Sequence, residues 1–180
     1  MKLFITGWKS QGLRCPDVDF NCEIKPGHPA KVVLIQMPNA TGKTTIVNLI
    51  KSALCNNLIG GNPSKYIDPK GPEEQTEGMF EVSMLLKEGS SSKVFKIKID
   101  FDFDSYVNED YICEFTTYKQ GTGSDDDWEP PDALRNYLKE ENVEIFSMEG
   151  HESAQLINKN PDLAIDAFCG INEVKKLITH

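Results

Sequence analysis

The sequence predicts an α/β chain in which a strand–loop–helix unit stands beside an antiparallel β meander. Two observations point there. First, the apolar run Lys31-Val-Val-Leu-Ile-Gln-Met37 feeds a short loop ending in Gly42-Lys43-Thr44, and Ile46-Val-Asn-Leu-Ile-Lys-Ser-Ala-Leu54 follows with apolar residues at helical spacing. Second, Phe95, Ile97, Ile99, Phe101 and Phe103 alternate with mostly charged residues, the period of a strand with one face buried and one wet. Gly78–Lys87 and Tyr111–Tyr118 flank that stretch as further strand-like segments, so 78–118 reads as a meander.

The remaining elements follow in chain order. Lys2–Thr6 reads as a first strand, and Asp17–Ile24 alternates polar and apolar residues as a half-buried second strand. Lys25-Pro-Gly-His-Pro-Ala30 is a turn by its Pro and Gly. The strand–loop–helix unit spans 31–54, and Gly60–Ser64 with Asp68–Pro72 make the next segment an irregular loop. Glu88-Gly-Ser-Ser-Ser92 turns between two strands of the meander, and Gly121–Asp127 is an acidic loop. Pro131–Leu138 starts a helix with Pro in its first turn. Val143–Met148 looks like a short strand, and 151–156, 162–168 and 172–178 read as helices, with Gly170 as a C-cap candidate. No internal repeat is visible.

Strand, glycine-bearing loop and helix are the context of the phosphate-binding pattern G-x-x-x-x-G-K-[ST]. Pro38-Asn39-Ala40-Thr41-Gly42-Lys43-Thr44-Thr45 would bind the nucleotide, the backbone N–H groups from Asn39 onward and the helix N-terminus cradling phosphate oxygens. Lys43 would reach the β- and γ-phosphates, and the Thr44 hydroxyl would bind Mg²⁺. ATP or GTP with Mg²⁺ is therefore the expected ligand. The pattern wants Gly at position 37, where this chain has Met37. The competing view is a chance Gly-Lys-Thr in a helix cap; the apolar run before it and the helix after it argue against chance.

Length and charge set further bounds. A chain of 180 residues makes one domain or slightly more. No run of about 18 apolar residues spans a membrane, and the start, Met1-Lys-Leu-Phe-Ile-Thr-Gly-Trp8, is not a secretory signal. Five scattered cysteines without a C-x-x-C pair read as reduced thiols of a cytoplasmic protein. The net charge of −9 is uneven: residues 1–66 carry 8 basic and 3 acidic residues, the remainder 11 and 25. The basic first third suits a phosphate ligand, and the acidic remainder argues against a broad DNA-binding face on this segment alone. His28, His151 and His180 show no metal spacing.

Hydrolysis needs more than the loop. A second Mg²⁺ ligand usually comes from an Asp at the end of an apolar strand, the Walker B element. No apolar run here ends in Asp-Glu: Ile97-Lys-Ile-Asp100 alternates with charges, and Leu163-Ala-Ile-Asp166 lies in a helical pattern. A Ser-Gly-Gly signature is missing too, so the chain looks like half of an ATP site.

That half-site resembles the N-terminal half of the split ATPase heads of SMC/RecF-type proteins, among them the break-repair ATPase and the ATPase of phosphorothioate DNA restriction. Phe4-Ile-Thr-Gly-Trp-Lys-Ser10 resembles the family's opening strand and its G-F-K-S turn. Pro38-Asn-Ala-Thr-Gly-Lys-Thr-Thr45 resembles its P-N-G-S-G-K-S/T-T loop, with Pro-Asn particular to this group. The meander falls where such heads carry their first sheet. Ile145-Phe-Ser-Met-Glu-Gly-His-Glu-Ser-Ala-Gln-Leu-Ile157 resembles the Q-loop region, and Pro131-Asp-Ala-Leu134 fits the restriction-ATPase version. Met37 and Ala40 stand where the family has Gly, and Glu149 where it has Gln or Asp.

The resemblance implies a P-loop NTPase fold, the N-terminal lobe of an ABC-type head over 1–180. It implies ATP and Mg²⁺ as cofactors, nucleotide contacts from Lys9 and Ser10, and a catalytic and metal-binding role for Glu149 beside Lys43 and Thr44. The alternatives are a solvated turn for Lys9 and Ser10 and a plain turn for Glu149. Trp8 reads as core. Implied partners are the C-terminal half of the head with Walker B and signature motifs, a second head, DNA and a nuclease subunit, with no membrane. The chain stops where the family's coiled coil would begin. Two rival functions remain: a non-hydrolysing nucleotide-binding regulatory module, and a small stand-alone P-loop kinase, which the sparse arginines (Arg14 and Arg135) count against.

Overall fold

The structure, a computed structural model, describes residues 2–69, 75–107, 110–120, 125–126, 135, 138–140 and 142–143. The chain divides into two units, Met1–Pro130 and Pro131–His180. Of the second, one helical turn is described, in which the N–H groups of Asn142 and Val143 donate to the Lys139 carbonyl at 2.9 and 3.0 Å. Val143, expected to open a strand, belongs to that turn. The Q-loop-like region and the helices expected at 151–178 lie outside the described residues, and so does Glu149.

The first unit is built on one antiparallel sheet. Its strands are β1 (Lys2–Gln11), β2 (Val18–Asn21), β5 (Glu77–Glu88), β6 (Ser91–Val107), β7 (Asp110–Gln120) and β8 (Asp125–Asp126), in the order β2-β1-β5-β6-β7-β8. A small hairpin of β3 (Glu23–Lys25) and β4 (His28–Pro29) forms a separate two-stranded sheet where the Pro/Gly turn was expected. The meander over 78–118 forms as β5, β6 and β7, paired in register from Glu77↔Asp102 to Glu88↔Ser91 and from Val94↔Gln120 to Asp102↔Ile112, with a register shift before Tyr106↔Tyr111 and Val107↔Asp110. Alternation supports this: β5 and β6 each carry one apolar side, and pairing in matching register keeps that side continuous across the sheet. The acidic loop contributes a short edge, β8, whose Asp126 and Asp125 pair with Tyr118 and Lys119.

The apolar face is a true core. Phe95, Ile97, Ile99, Phe101 and Phe103 of β6 are all buried, as are Phe80, Val82 and Met84 of β5 and Trp8 of β1. Trp8 stacks on Phe20 with ring centroids 4.4 Å apart. Helix α1 (Lys43–Cys55) packs on this face near β5 and β6 through buried Ile46, Leu49 and Ala53. Its amphipathic spacing supplies that stripe. The helix ends at Asn56, which adopts a left-handed conformation, and Ser52 ties the following chain back by accepting from the Ile59 N–H at 2.9 Å. A 3-10 turn, Pro63–Tyr66, replaces part of the expected irregular loop; buried Tyr66 donates its hydroxyl to the Ile59 carbonyl and sits 5.5 Å from the Phe101 ring.

One expectation fails. Lys31–Met37 forms no strand and pairs with nothing among the described residues. Val32 and Leu34 are 86% and 93% exposed, and Val33 and Ile35, which alternate with them, are 38% and 42% exposed. The physical reason is coverage. A run apolar at consecutive positions needs neighbours on both faces, as in a parallel sheet. The described sheet has one apolar face, and α1 already occupies part of it.

Candidate nucleotide site

The loop that follows Met37 runs directly into the N-terminus of α1. Ala40 and Gly42 both take left-handed backbone angles, with φ of 62° and 84°. Gly42 is the N-cap residue of α1, and no side chain caps the helix. The Ile46 N–H makes the first helical bond, to the Gly42 carbonyl at 2.9 Å. By helix geometry the N–H groups of Lys43, Thr44 and Thr45 have no acceptor within the helix. No acidic residue lies in the first turn, so the positive end of the helix dipole is uncompensated.

Lys43 is folded back onto the loop that precedes it. Its Nζ donates to the Met37 carbonyl at 3.1 Å, the Pro38 carbonyl at 3.2 Å and Asn39 Oδ1 at 3.0 Å. The Thr41 hydroxyl donates to the Pro38 carbonyl at 2.7 Å and braces the turn from inside. The ammonium is therefore held by three neutral oxygens at the surface, where phosphate oxygens carrying charge would compete well for it. Thr44 and Thr45 start the helix beside it. The structure thus brings together Pro38, Asn39, Ala40, Thr41, Gly42, Lys43, Thr44 and Thr45.

Ala40 is the strained member. A non-glycine residue in the left-handed region costs about 1–2 kcal/mol, partly offset because Gly is the more disordered residue in the unfolded chain. Ala40→Gly is expected to stabilise the first unit by about 0.5–1 kcal/mol. A thermal melt checks this: Tm should rise by about 1–4 °C, and a fall would mean the loop does not hold this angle.

The two upstream candidates land differently. Lys9 is exposed on the solvent face of β1, aligned with Asp19 of β2 and Glu81 of β5. Ser10, its neighbour on the opposite face, is only 2% exposed, and its hydroxyl donates to the Pro16 carbonyl at 2.6 Å. Ser10 is thus neither a solvated turn nor an open ligand: it braces the turn Leu13–Pro16. That turn is the part of the site that motif reading did not find. The Arg14 N–H donates to the Tyr66 carbonyl at 2.7 Å, and Asp17 accepts from the Gly12 N–H at 2.8 Å. A Cβ on Gly42 would lie 2.6 Å from the Arg14 carbonyl oxygen and 2.8 Å from Cys15 Cα, so the turn presses directly on the loop before α1. No sequence signal marks this contact beyond Pro16 as a turn residue. Burial pushes the Cys15 thiol up to about 11, opposed by a hydrogen bond with Ser10 and reinforced by the charges of Asp17 and Asp68. Cys15 therefore stays protonated and unreactive at neutral pH.

A groove of about 1150 Å³ opens beside the same turn, walled by Leu13, Cys15 and Pro16 on one side and by Asp17, Asp68, Asp100, Asp102 and Glu114 around the rest. Its Lys98 is paired with Asp100 at 2.8 Å. Such a lining repels a triphosphate, so volume and nucleotide chemistry part company here. No group of three or more potential metal-ligating His, Cys, Asp or Glu side chains occurs among the described residues, and no helix among them is long and apolar enough to cross a membrane. No protein-family model matches this chain, and comparison with curated proteins yields no match.

Proposed function

We propose that this chain is the ATP-binding half of an SMC-like ATPase head acting in DNA maintenance, repair or anti-phage defence, and that it hydrolyses ATP when a C-terminal half supplies the Walker B and signature motifs. The loop around Lys43 carries the proposal: an ammonium positioned by loop oxygens belongs to the first residue of a helix whose N-terminus no side chain caps. ATP would lay its β- and γ-phosphates on that loop, and Mg²⁺ would bridge them to the Thr44 hydroxyl.

The exposed run 32–35 favours this function over a self-sufficient regulatory module or kinase. Val32, Val33, Leu34 and Ile35 lead straight into the phosphate loop and are open to solvent on both sides. Leaving four apolar side chains in water is unfavourable by roughly 25 cal/mol per Å². A further chain segment that brings strands on either side would bury them and would place its own Asp at the strand end next to Thr44, where the missing Mg²⁺ ligand belongs. That is the role of the C-terminal half. DNA and a nuclease subunit would engage the completed assembly, and a second head would close over the γ-phosphate.

The test is a titration of ATP into the protein with and without Mg²⁺, repeated for Thr44→Val. The substitution keeps shape and removes the hydroxyl that would ligate the ion. The tightening of ATP by Mg²⁺ should shrink about tenfold in the variant, while metal-free binding stays close to wild type. Equal losses with and without Mg²⁺ would put Thr44 outside the metal shell, and no ATP binding by the wild-type protein would overturn the proposal.

A further inference from the structure

The turn that presses on the phosphate loop carries one of the only two arginines in the chain, Arg14. Its backbone is fixed from three sides. The N–H is held by the Tyr66 carbonyl at 2.7 Å. The carbonyl oxygen sits against Gly42, 2.6 Å from where a Cβ would be. The neighbouring Leu13 is 2% exposed, and the Ser10 hydroxyl anchors Pro16 two residues on. The side chain is the opposite case: Arg14 is exposed, and among the described residues no acceptor or carboxylate partners its guanidinium. An arginine on a rigid turn touching Gly42 starts within one side chain's length of the uncapped N–H groups of α1.

We infer that Arg14 is a second phosphate-binding cation of this site, contributed by the β1–β2 connection and acting on the polyphosphate tail together with Lys43. This rests on the ATP-binding proposal above and deepens it. The chemistry favours arginine here. Its planar fork offers two parallel N–H donors to phosphate oxygens, and the charge persists at every working pH. Lys43 is a point charge already shared among loop oxygens, so a triphosphate on this loop still has oxygens in need of a donor. The fixed turn means that ordering Arg14 on the ligand costs side-chain freedom only.

The experiment is a calorimetric titration of ATP, ADP and AMP into the wild-type protein and into Arg14→Ala, Arg14→Lys, Arg14→Gln and Lys43→Ala. Arg14→Ala should weaken ATP about tenfold, the size of one charge-assisted contact, with a smaller loss for ADP and none for AMP. Arg14→Lys should recover part of the ATP affinity. Arg14→Gln guards against a folding defect: a wild-type melting curve with the same ATP loss supports the inference. Wild-type ATP affinity in Arg14→Ala and Arg14→Gln, while Lys43→Ala has lost it, overturns the inference and leaves the ATP site standing. An AMP loss as large as the ATP loss also overturns it, because the contact would then be with base or ribose. If neither Arg14→Ala nor Lys43→Ala changes ATP binding, the nucleotide site itself falls and the inference with it.

Discussion

Replacing Lys43 with alanine is expected to abolish ATP binding and to leave the fold intact. The ammonium makes three contacts, to the Met37 and Pro38 carbonyls and to Asn39 Oδ1, and all three acceptors are at the surface. Water replaces the ammonium on each of them at little cost, since hydrogen bonds to exposed groups contribute little net stability. Position 43 is also helical, where alanine is the best helix former. The melting temperature should therefore stay within a degree or two of wild type. Nothing replaces the charge for the phosphates. Losing a positioned cation opposite a triphosphate should weaken ATP by at least about a hundredfold. A labelled ATP analogue titrated against both proteins decides it. Undiminished affinity in the variant would remove the phosphate-loop assignment, and a large drop in melting temperature would mean that Lys43 has a structural role not visible in its contacts.

Gly42→Ala should damage both the fold and the site. Two costs fall on one atom. The added methyl would force a left-handed backbone with φ of 84° on a residue with a side chain, at about 1–2 kcal/mol. The same methyl would meet the Arg14 carbonyl at 2.6 Å and Cys15 Cα and Cβ at 2.8 Å, and all but the last are backbone atoms that cannot swing away. The turn Leu13–Pro16 or the start of α1 must shift, which adds about 1–3 kcal/mol. A total near 3 kcal/mol corresponds to a melting temperature lower by about 6–12 °C. Gly27→Ala is the matched control. Its φ is 74°, yet its Cβ would meet nothing within 4 Å, so it reports the left-handed penalty alone. If both variants melt alike, the turn does not press on the loop as the structure has it. On the proposed function, ATP affinity should fall with Gly42→Ala and stay unchanged with Gly27→Ala, because only Gly42 sets the path of the N–H groups that would face the phosphates.

The meander was legible because its signal is local. Phe95 to Phe103 alternate without interruption, and period two has one structural meaning when charges fill the gaps. Helix α1 was legible for the same reason, from the spacing of Ile46, Leu49 and Ala53. Gly42 was legible as a backbone requirement: the structure gives it the left-handed angle that only glycine adopts freely, directly ahead of Lys43 at the start of α1. The run 31–37 shows where that kind of reading stops. Its composition says strand, but a strand exists only where a neighbour pairs with it, and the described residues offer none.

By itself, then, the amino-acid sequence determined the elements with strong periodicity and the residues whose chemistry is bound to their type: the apolar stripe of β6, the buried face of α1, and Lys43 and Thr44 behind a glycine. Tertiary structure alone decided which distant segments touch. It placed Arg14 and Cys15 against Gly42 and turned Ser10 into the brace of that turn. It also left Val32 to Ile35 in solvent. The reason is physical. Periodicity and side-chain chemistry act within a few residues along the chain, whereas contacts between positions 14 and 42, or the lack of a partner for 32–35, depend on how chain closure brings separate surfaces together.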